Sequence, residues 1–136
     1  MRRYLFLIVF IIFSVTGWAK GKDGYVVATS EAVRADAAWM KVVDALVKKH
    51  KADVIFYKEN IGELQKPLRQ LRPRFVAFVE KPEFLNREYV MEGHRMSRRV
   101  DEDIYADYLW GIITGFSAED AMRLVDRSRE PFLIRT

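Results

Sequence analysis

The sequence predicts an α/β fold: a three-layer sandwich in which helices cover both faces of a four-stranded, mostly parallel sheet. Short runs that are apolar at every position alternate along the chain with longer segments whose apolar residues recur every three or four positions. Because these runs have no polar face, they are typical of parallel strands buried on both sides. Right-handed crossovers between such strands give a flavodoxin-like or caspase-like arrangement.

The four strands are predicted at residues 25–29, 53–57, 75–79 and 108–113. The doubly wound order 2-1-3-4 leaves the fourth strand at an edge of the sheet. That strand is apolar at nearly every position, so we expect a neighbour on both of its faces and a cover for its free edge. Either residues 131–136 (PFLIRT) fold back as an extra strand, or another protein or a second copy covers the 108–113 edge.

The four helices follow the strands in turn. The first starts at an N-cap on Asp36 and ends at His50, and the second covers 61–71 with a kink or late start at Pro67. The third covers 83–100, and the fourth begins at Ser117 with Asp120 as the acid of a capping-box variant. The inward-facing residues are predicted to be Trp39, Val42, Val43, Leu46 and Val47 in the first helix, Phe84, Tyr89, Val90 and Met96 in the third, and Ala121, Leu124 and Val125 in the fourth.

Residues 1–19 have the three parts of a secretory signal peptide: a positive start, an apolar stretch from Tyr4 to Val15, and small residues before a cut after Ala19. An uncleaved anchor is the alternative, but the apolar stretch is shorter than the roughly 20 residues that a spanning helix needs. We therefore predict an exported protein, periplasmic or extracellular, without a stable membrane span after cleavage. Residues 20–24 form a linker, and 25–136 form one α/β domain.

Composition and motifs narrow the function classes. Cleavage lowers the formal charge from +4 to +2, and no dense run of Lys and Arg remains, which argues against a nucleic-acid partner. The chain has no Cys, and the loop after the first strand has no glycine, so a thiol nucleophile, a Rossmann turn and a P-loop are excluded. Neither His50 nor His94 has an evident nucleophile beside it. No catalytic residue and no cofactor are predicted.

Two groups of residues are candidates for binding. The carboxyl ends of parallel strands meet at one edge of a sheet, where a ligand of an α/β protein usually binds. There we expect Thr29, Ser30, Glu31, Tyr57 and Glu80 to gather. The acidic loop before the fourth strand offers Asp101, Asp103 and Asp107 as oxygen ligands for Ca²⁺, although their spacing is not that of an EF-hand. The alternative is a solvated loop whose acids offset the arginines before it.

The segment from Asp103 to Ala121 resembles the gingipain family of secreted cysteine peptidases. The first matching feature is an acid–tyrosine–acid loop formed by Asp103, Tyr105 and Asp107. It is followed by a glycine in or after the next strand, Gly111 or Gly115, and by a helix start of small and acidic residues at 117–121. Phe116 departs from the pattern, since a basic residue often stands there. The resemblance covers roughly residues 24–132 and implies a caspase-like fold, with Ca²⁺ contact at the acidic loop.

The resemblance does not imply peptidase activity, because the His-Gly step and the Cys of those enzymes have no counterpart here. The first hypothesis is therefore an exported, noncatalytic domain that resembles the front portion of a gingipain-like peptidase and is either an interaction or scaffolding module or a truncated product. The second is an independent small-ligand-binding module of the cell envelope. A hydrolase that works with Ser or His alone is the third.

Overall fold

The computed structural model describes residues 24–127, so the predicted signal peptide and the segment 131–136 lie outside the described residues. The strands are β1 (Tyr25–Ser30), β2 (Asp53–Tyr57), β3 (Phe75–Val79) and β4 (Leu109–Ile113). The helices are α1 (Glu31–Arg34), α2 (Ala37–His50), α3 (Gln65–Leu71), α4 (Arg87–Met96) and α5 (Ala118–Arg127). Short 3₁₀ helices at Ile61–Leu64 and Pro82–Phe84 precede α3 and α4.

The predicted sheet is confirmed. Its four strands lie in the order β2-β1-β3-β4, and every neighbouring pair is parallel. Thr29 is opposite Phe56 of β2 and Val79 of β3, so the carboxyl ends of the strands are level. The switch point of the topology lies between β1 and β3, from which the chain winds in opposite directions.

Two apolar clusters, one on each face of the sheet, form the core. Alternate residues of β1 and β3 point to opposite faces. Val26, Ala28, Val76 and Phe78 pack under α3 and α4, whereas Val27, Ala77 and Val79 pack under α2 and α5. The continuous apolar runs of the sequence are explained by this burial on both sides, and the fold is the predicted three-layer sandwich.

The helix ends follow local chemistry. The Asp36 carboxylate accepts hydrogen bonds from the amides of Ala38 (3.0 Å) and Trp39 (3.4 Å), as predicted for an N-cap. Ser117 caps α5 by accepting from the Asp120 amide at 3.3 Å. The C-caps of α2 and α3 are Lys51 (φ 50°) and Arg72 (φ 44°), both in the left-handed conformation that usually takes Gly or Asn.

Several sequence predictions need correction. The third helix is shorter than predicted, because the Asn86 side chain caps it by accepting from the Tyr89 amide (2.9 Å) and it ends at Met96. Phe84, Val90 and Leu124 were predicted to face inward but are 48%, 43% and 46% exposed. The short helix α1 was not predicted.

The fourth strand was predicted to be covered on both faces, and its first residue is not. Leu109 is 68% exposed, and Phe116, three residues after the strand, is 99% exposed. Trp110 and Ile112 are half-buried on the face of α4, where Trp110 contacts the Phe78 ring at 5.7 Å between centroids. β4 is thus partly open to solvent within the part of the chain that the structure describes. In that same part, no helix is both long and apolar enough to cross a membrane.

Candidate functional site

A row of polar side chains crosses the sheet at the carboxyl ends of three strands. Ser30 ends β1, Tyr57 ends β2 directly opposite it, and Glu80 follows the last residue of β3. All three lie on the face covered by α3 and α4, because they continue the alternation of Ala28, Ile55 and Phe78. We call Tyr57, Ser30 and Glu80 the polar row.

Glu80 is the centre of the polar row. Its side chain is fully buried, and its Oε1 accepts from the Ser30 hydroxyl (3.0 Å) and the Lys81 amide (2.9 Å). Its Oε2 accepts a hydrogen bond from the Tyr57 hydroxyl. Three donors therefore satisfy a carboxyl group that would be costly to bury without partners. The row links β1, β2 and β3 at one end of the sheet.

The structure brings together three of the five residues predicted for this edge. Thr29 points to the opposite face, where its hydroxyl donates to the Val79 carbonyl at 2.8 Å. Glu31 lies outside the row in the first turn of α1 and pairs with Arg34 at 3.1 Å. Ser30, Tyr57 and Glu80 are in contact, but all three are buried, so the predicted ligand edge is closed at this point.

Tyr89 of α4 joins the row, although its spacing in the sequence predicted only a place on the apolar face of the helix. Its hydroxyl oxygen lies 3.3 Å from that of Tyr57. Burial, with the neighbouring Tyr89 and Glu80, raises the pKa of Tyr57 far above its usual range. Burial also raises the pKa of Tyr89, and the hydrogen bond with Tyr57 only partly offsets this. Both phenols therefore stay protonated at neutral pH and can act as hydrogen-bond donors.

A groove of about 700 Å³ opens beside Tyr89, between α4 and the 3₁₀ helix Ile61–Leu64. Its lining carries four glutamates and one arginine: Glu59, Glu63, Glu88, Glu92 and Arg95. Arg95 pairs with Glu92 at 2.9 Å, and Glu63 accepts from the backbone amides of residues 58–60. Glu59 and Glu88 are exposed and form no ion pair among the described residues, so the groove is acidic.

The spacing of Asn60 and Glu63 is a sequence signal from which one wall of this groove is predictable. Asn60 and Glu63 stand three positions apart and form a capping box, in which the Asn60 side chain accepts from the Gly62 amide at 2.7 Å. This capping box starts the 3₁₀ helix Ile61–Leu64, which forms one wall of the groove. A cationic group is the ligand whose charge this lining complements.

The acidic loop brings together its three predicted metal ligands. Asp101, Asp103 and Asp107 each place one carboxylate oxygen within 4.8 Å of the other two. Each of them also accepts a backbone hydrogen bond, from Asp103 (3.0 Å), Tyr105 (2.7 Å) and Val100 (2.8 Å) respectively. These three hydrogen bonds order the loop and explain the presence of the aspartates without a metal. The carboxylates retain oxygen atoms that could contact Ca²⁺.

Comparison of the chain with profiles of protein families, with curated proteins and with solved structures gave no match. The relationship to gingipain-like peptidases therefore stays a prediction from residues 103–121. The α/β class and the parallel sheet are properties of the structure itself.

Proposed function

We propose that this protein is an exported, noncatalytic interaction module that associates through the outer edge of β4. The proposal includes a relationship of this protein to the front portion of a gingipain-like domain. The observation that supports it is the unpaired outer side of β4, beside which the apolar residues Leu109 (68% exposed) and Phe116 (99% exposed) lie open to solvent.

The edge lacks the features that usually protect a strand from pairing. β3 pairs with one side of β4, and none of the strands between residues 24 and 127 pairs with the other. Natural edge strands are guarded by charges, prolines or bulges. Residues 108–116 (YLWGIITGF) contain no charge and no proline. A second strand can therefore extend the sheet here by pairing along the backbone.

Sedimentation velocity over a range of concentrations tests the proposal on residues 20–136. We expect the wild-type protein to self-associate and the L109K/F116K variant to be monomeric, because charges on an edge oppose pairing. The V90K/M91K variant is the matched control, since Val90 (43% exposed) and Met91 (40% exposed) are also exposed apolar residues but lie on α4. A wild-type monomer at all concentrations, or equal effects of both double variants, would contradict the proposal. Cleavage of Arg- or Lys-amide substrates would contradict its noncatalytic part.

The acidic groove favours a second candidate function, a small-ligand-binding module of the cell envelope. A ligand with an amine or guanidinium group would place its cation among Glu59, Glu88 and Glu92 and its apolar part against Phe84 and Tyr89. Thermal unfolding in the presence of arginine amide tests this. We expect a rise in the midpoint that E59Q/E88Q abolishes and that E83Q, an exposed acid outside the groove, leaves intact.

A further inference from the structure

The backbone of β4 alternates between a bonded side and an open side. The Leu109 amide donates to a carbonyl just before β3 at 3.0 Å, and the Ile113 carbonyl accepts from an amide just after β3 at 3.2 Å. Leu109, Gly111 and Ile113 therefore direct their N–H and C=O groups toward β3, because successive residues of a strand bond to opposite sides. Trp110 and Ile112 direct theirs the other way, where none of the strands between residues 24 and 127 lies. These two residues can bond a further strand.

Gly111 is the central residue of β4, and no contact among the described residues requires a glycine there. A Cβ at this position would have no heavy atom within 4 Å, and the φ of Gly111 is not positive. The register with β3 is regular through Gly111, so the residue does not mark a bulge. Glycine weakens a strand interior, and it often stands where another backbone approaches closely. Gly111 therefore indicates a second backbone beside the centre of β4.

The end of the same chain is a poor candidate for this second backbone. α5 packs on the same face of the sheet as α2, and Lys49 in the last turn of α2 donates to the Val125 carbonyl at 2.6 Å. The connection from β1 through α2 crosses this face in the direction of β2. A strand that followed α5 and lay parallel outside β4 would cross the same face in the opposite direction. Its crossover would be left-handed, and nearly all such connections are right-handed, so we do not expect residues 131–136 to cover β4.

The other edge of the sheet, β2, is also a poor partner for β4. β2 begins with Asp53 and lies between Lys51 and Lys58, and charges at an edge oppose pairing. A contact between β4 of one molecule and β2 of the next would also leave a free edge at each end and build an open-ended chain of molecules. Two uncharged β4 strands can instead form a closed pair, because each covers the edge of the other.

We propose that the partner at the β4 edge is a second copy of this protein, whose β4 pairs antiparallel with the first about a twofold axis at Gly111. This inference rests on the proposed association through β4 and adds its partner, direction and register. Centring the pair on Gly111 aligns the full length of both strands. Trp110 then exchanges backbone hydrogen bonds with Ile112 of the second copy. The two Gly111 residues form a non-hydrogen-bonded pair, in which the Cα atoms are only about 4.5 Å apart.

Disulfide trapping tests this pairing on residues 20–136, since the chain has no cysteine and a single substitution introduces the only thiol. The Cα separation of about 4.5 Å across the axis lies within the range that a disulfide spans. The open space at Gly111 admits a cysteine side chain, so G111C should fold normally. Thiols held together in a dimer have an effective concentration on the order of millimolar. Under mild oxidation at micromolar protein, we expect G111C to form a covalent dimer at least about tenfold faster than the control variant.

The matched control is L109C, because Leu109 lies on the same strand and is 68% exposed. An axis at residue 111 would separate its two thiols by roughly 14 Å along the strands, too far for a disulfide. Equal rates for G111C and L109C, or equally fast cross-linking of G111C in denaturing urea, would overturn the pairing. Species larger than a dimer in sedimentation would also overturn it, because a symmetric pair is closed.

Sedimentation of the wild type separates this inference from the proposed function. If the wild type associates, L109K/F116K abolishes the association and G111C still fails to cross-link, only the antiparallel pairing at Gly111 is overturned. If the wild type is monomeric at all concentrations, both the pairing and the proposed association through β4 are overturned. Association of the wild type together with selective cross-linking of G111C would support both.

Discussion

The polar row should stabilise the fold measurably, and Tyr57→Phe is the change that tests it. Phenylalanine fills the same space, so the packing of Tyr57 with Ile55 and Tyr89 is kept. The substitution removes the donor to Glu80 Oε2 and the partner of the Tyr89 hydroxyl, both inside the protein. A hydrogen bond to a carboxylate contributes about 1.5–3 kcal/mol, and leaving buried groups unpaired costs a similar amount. We expect the free energy of unfolding to fall by about 2–3 kcal/mol.

Urea denaturation followed by tryptophan fluorescence measures this loss, since Trp39 and Trp110 both pack against the core. Tyr89→Phe removes only the outer hydroxyl of the chain of hydrogen bonds and should cost less, about 0.5–1.5 kcal/mol. Tyr105→Phe is the control, because Tyr105 is 71% exposed and its hydroxyl has no partner among the described residues. Adding Glu80→Gln to Tyr57→Phe should give a loss smaller than the sum of the single losses, because the two groups share one bond. A Tyr57→Phe loss below about 0.5 kcal/mol, or one no larger than that of Tyr89→Phe, would refute this account of the row.

Three further predictions concern pH, glycine and calcium. The pKa values of Tyr57 and Tyr89 are raised in the folded protein. The contribution of these tyrosines to stability is therefore complete below pH 10, the pKa in the unfolded chain, and is lost as the pH rises above it. Urea midpoints measured at increasing alkaline pH should fall less steeply in Y57F/Y89F than in the wild type. A Cβ on Gly115 would lie 2.6 Å from the Asp120 Cβ and 2.9 Å from the Ala121 amide nitrogen, so G115A should destabilise the protein by about 1–3 kcal/mol. The control is G111A, which should not destabilise it, because the space around that Cβ is open. Similar urea midpoints for the two variants would contradict this prediction. If the acidic loop binds Ca²⁺, a Ca²⁺ concentration ten times the Kd should stabilise the wild type by about 1.4 kcal/mol and should leave the stability of D101N/D103N unchanged. Scanning calorimetry with and without Ca²⁺ measures both proteins. The absence of this difference would show that the acids only order the loop.

The strands and the polar row were predictable from the sequence because both follow from short-range rules. A strand buried on two faces must be apolar throughout, and parallel strands must end at one edge, which brings Ser30, Tyr57 and Glu80 together. Asp36 and Ser117 were predictable as caps because a cap acts within three residues of the helix it starts.

The features that were missed depend on tertiary placement. Tyr89 has the spacing of an inward-facing helix residue, and only the packing of α4 against β3 and β4 brings its hydroxyl to Tyr57. Lys51 and Arg72 are far apart in sequence, and they come to the same end of the sheet because β2 and β3 flank β1. The exposure of Leu109 could not be predicted either, because an apolar strand has the same composition whether its faces are covered or open.

The position of Glu80 also determines which misfolded states are costly. If β3 paired with β1 one residue out of step, Glu80 would turn to the opposite face and Lys81 would take its place beside Tyr57. A buried ammonium group would then face two hydroxyl groups instead of a carboxylate, and Glu80 would be buried among the valines under α2. Such a slip would also exchange Phe78 with the smaller Ala77 and Val79 across the two faces, and the acid at the end of the strand adds an electrostatic cost to that steric one.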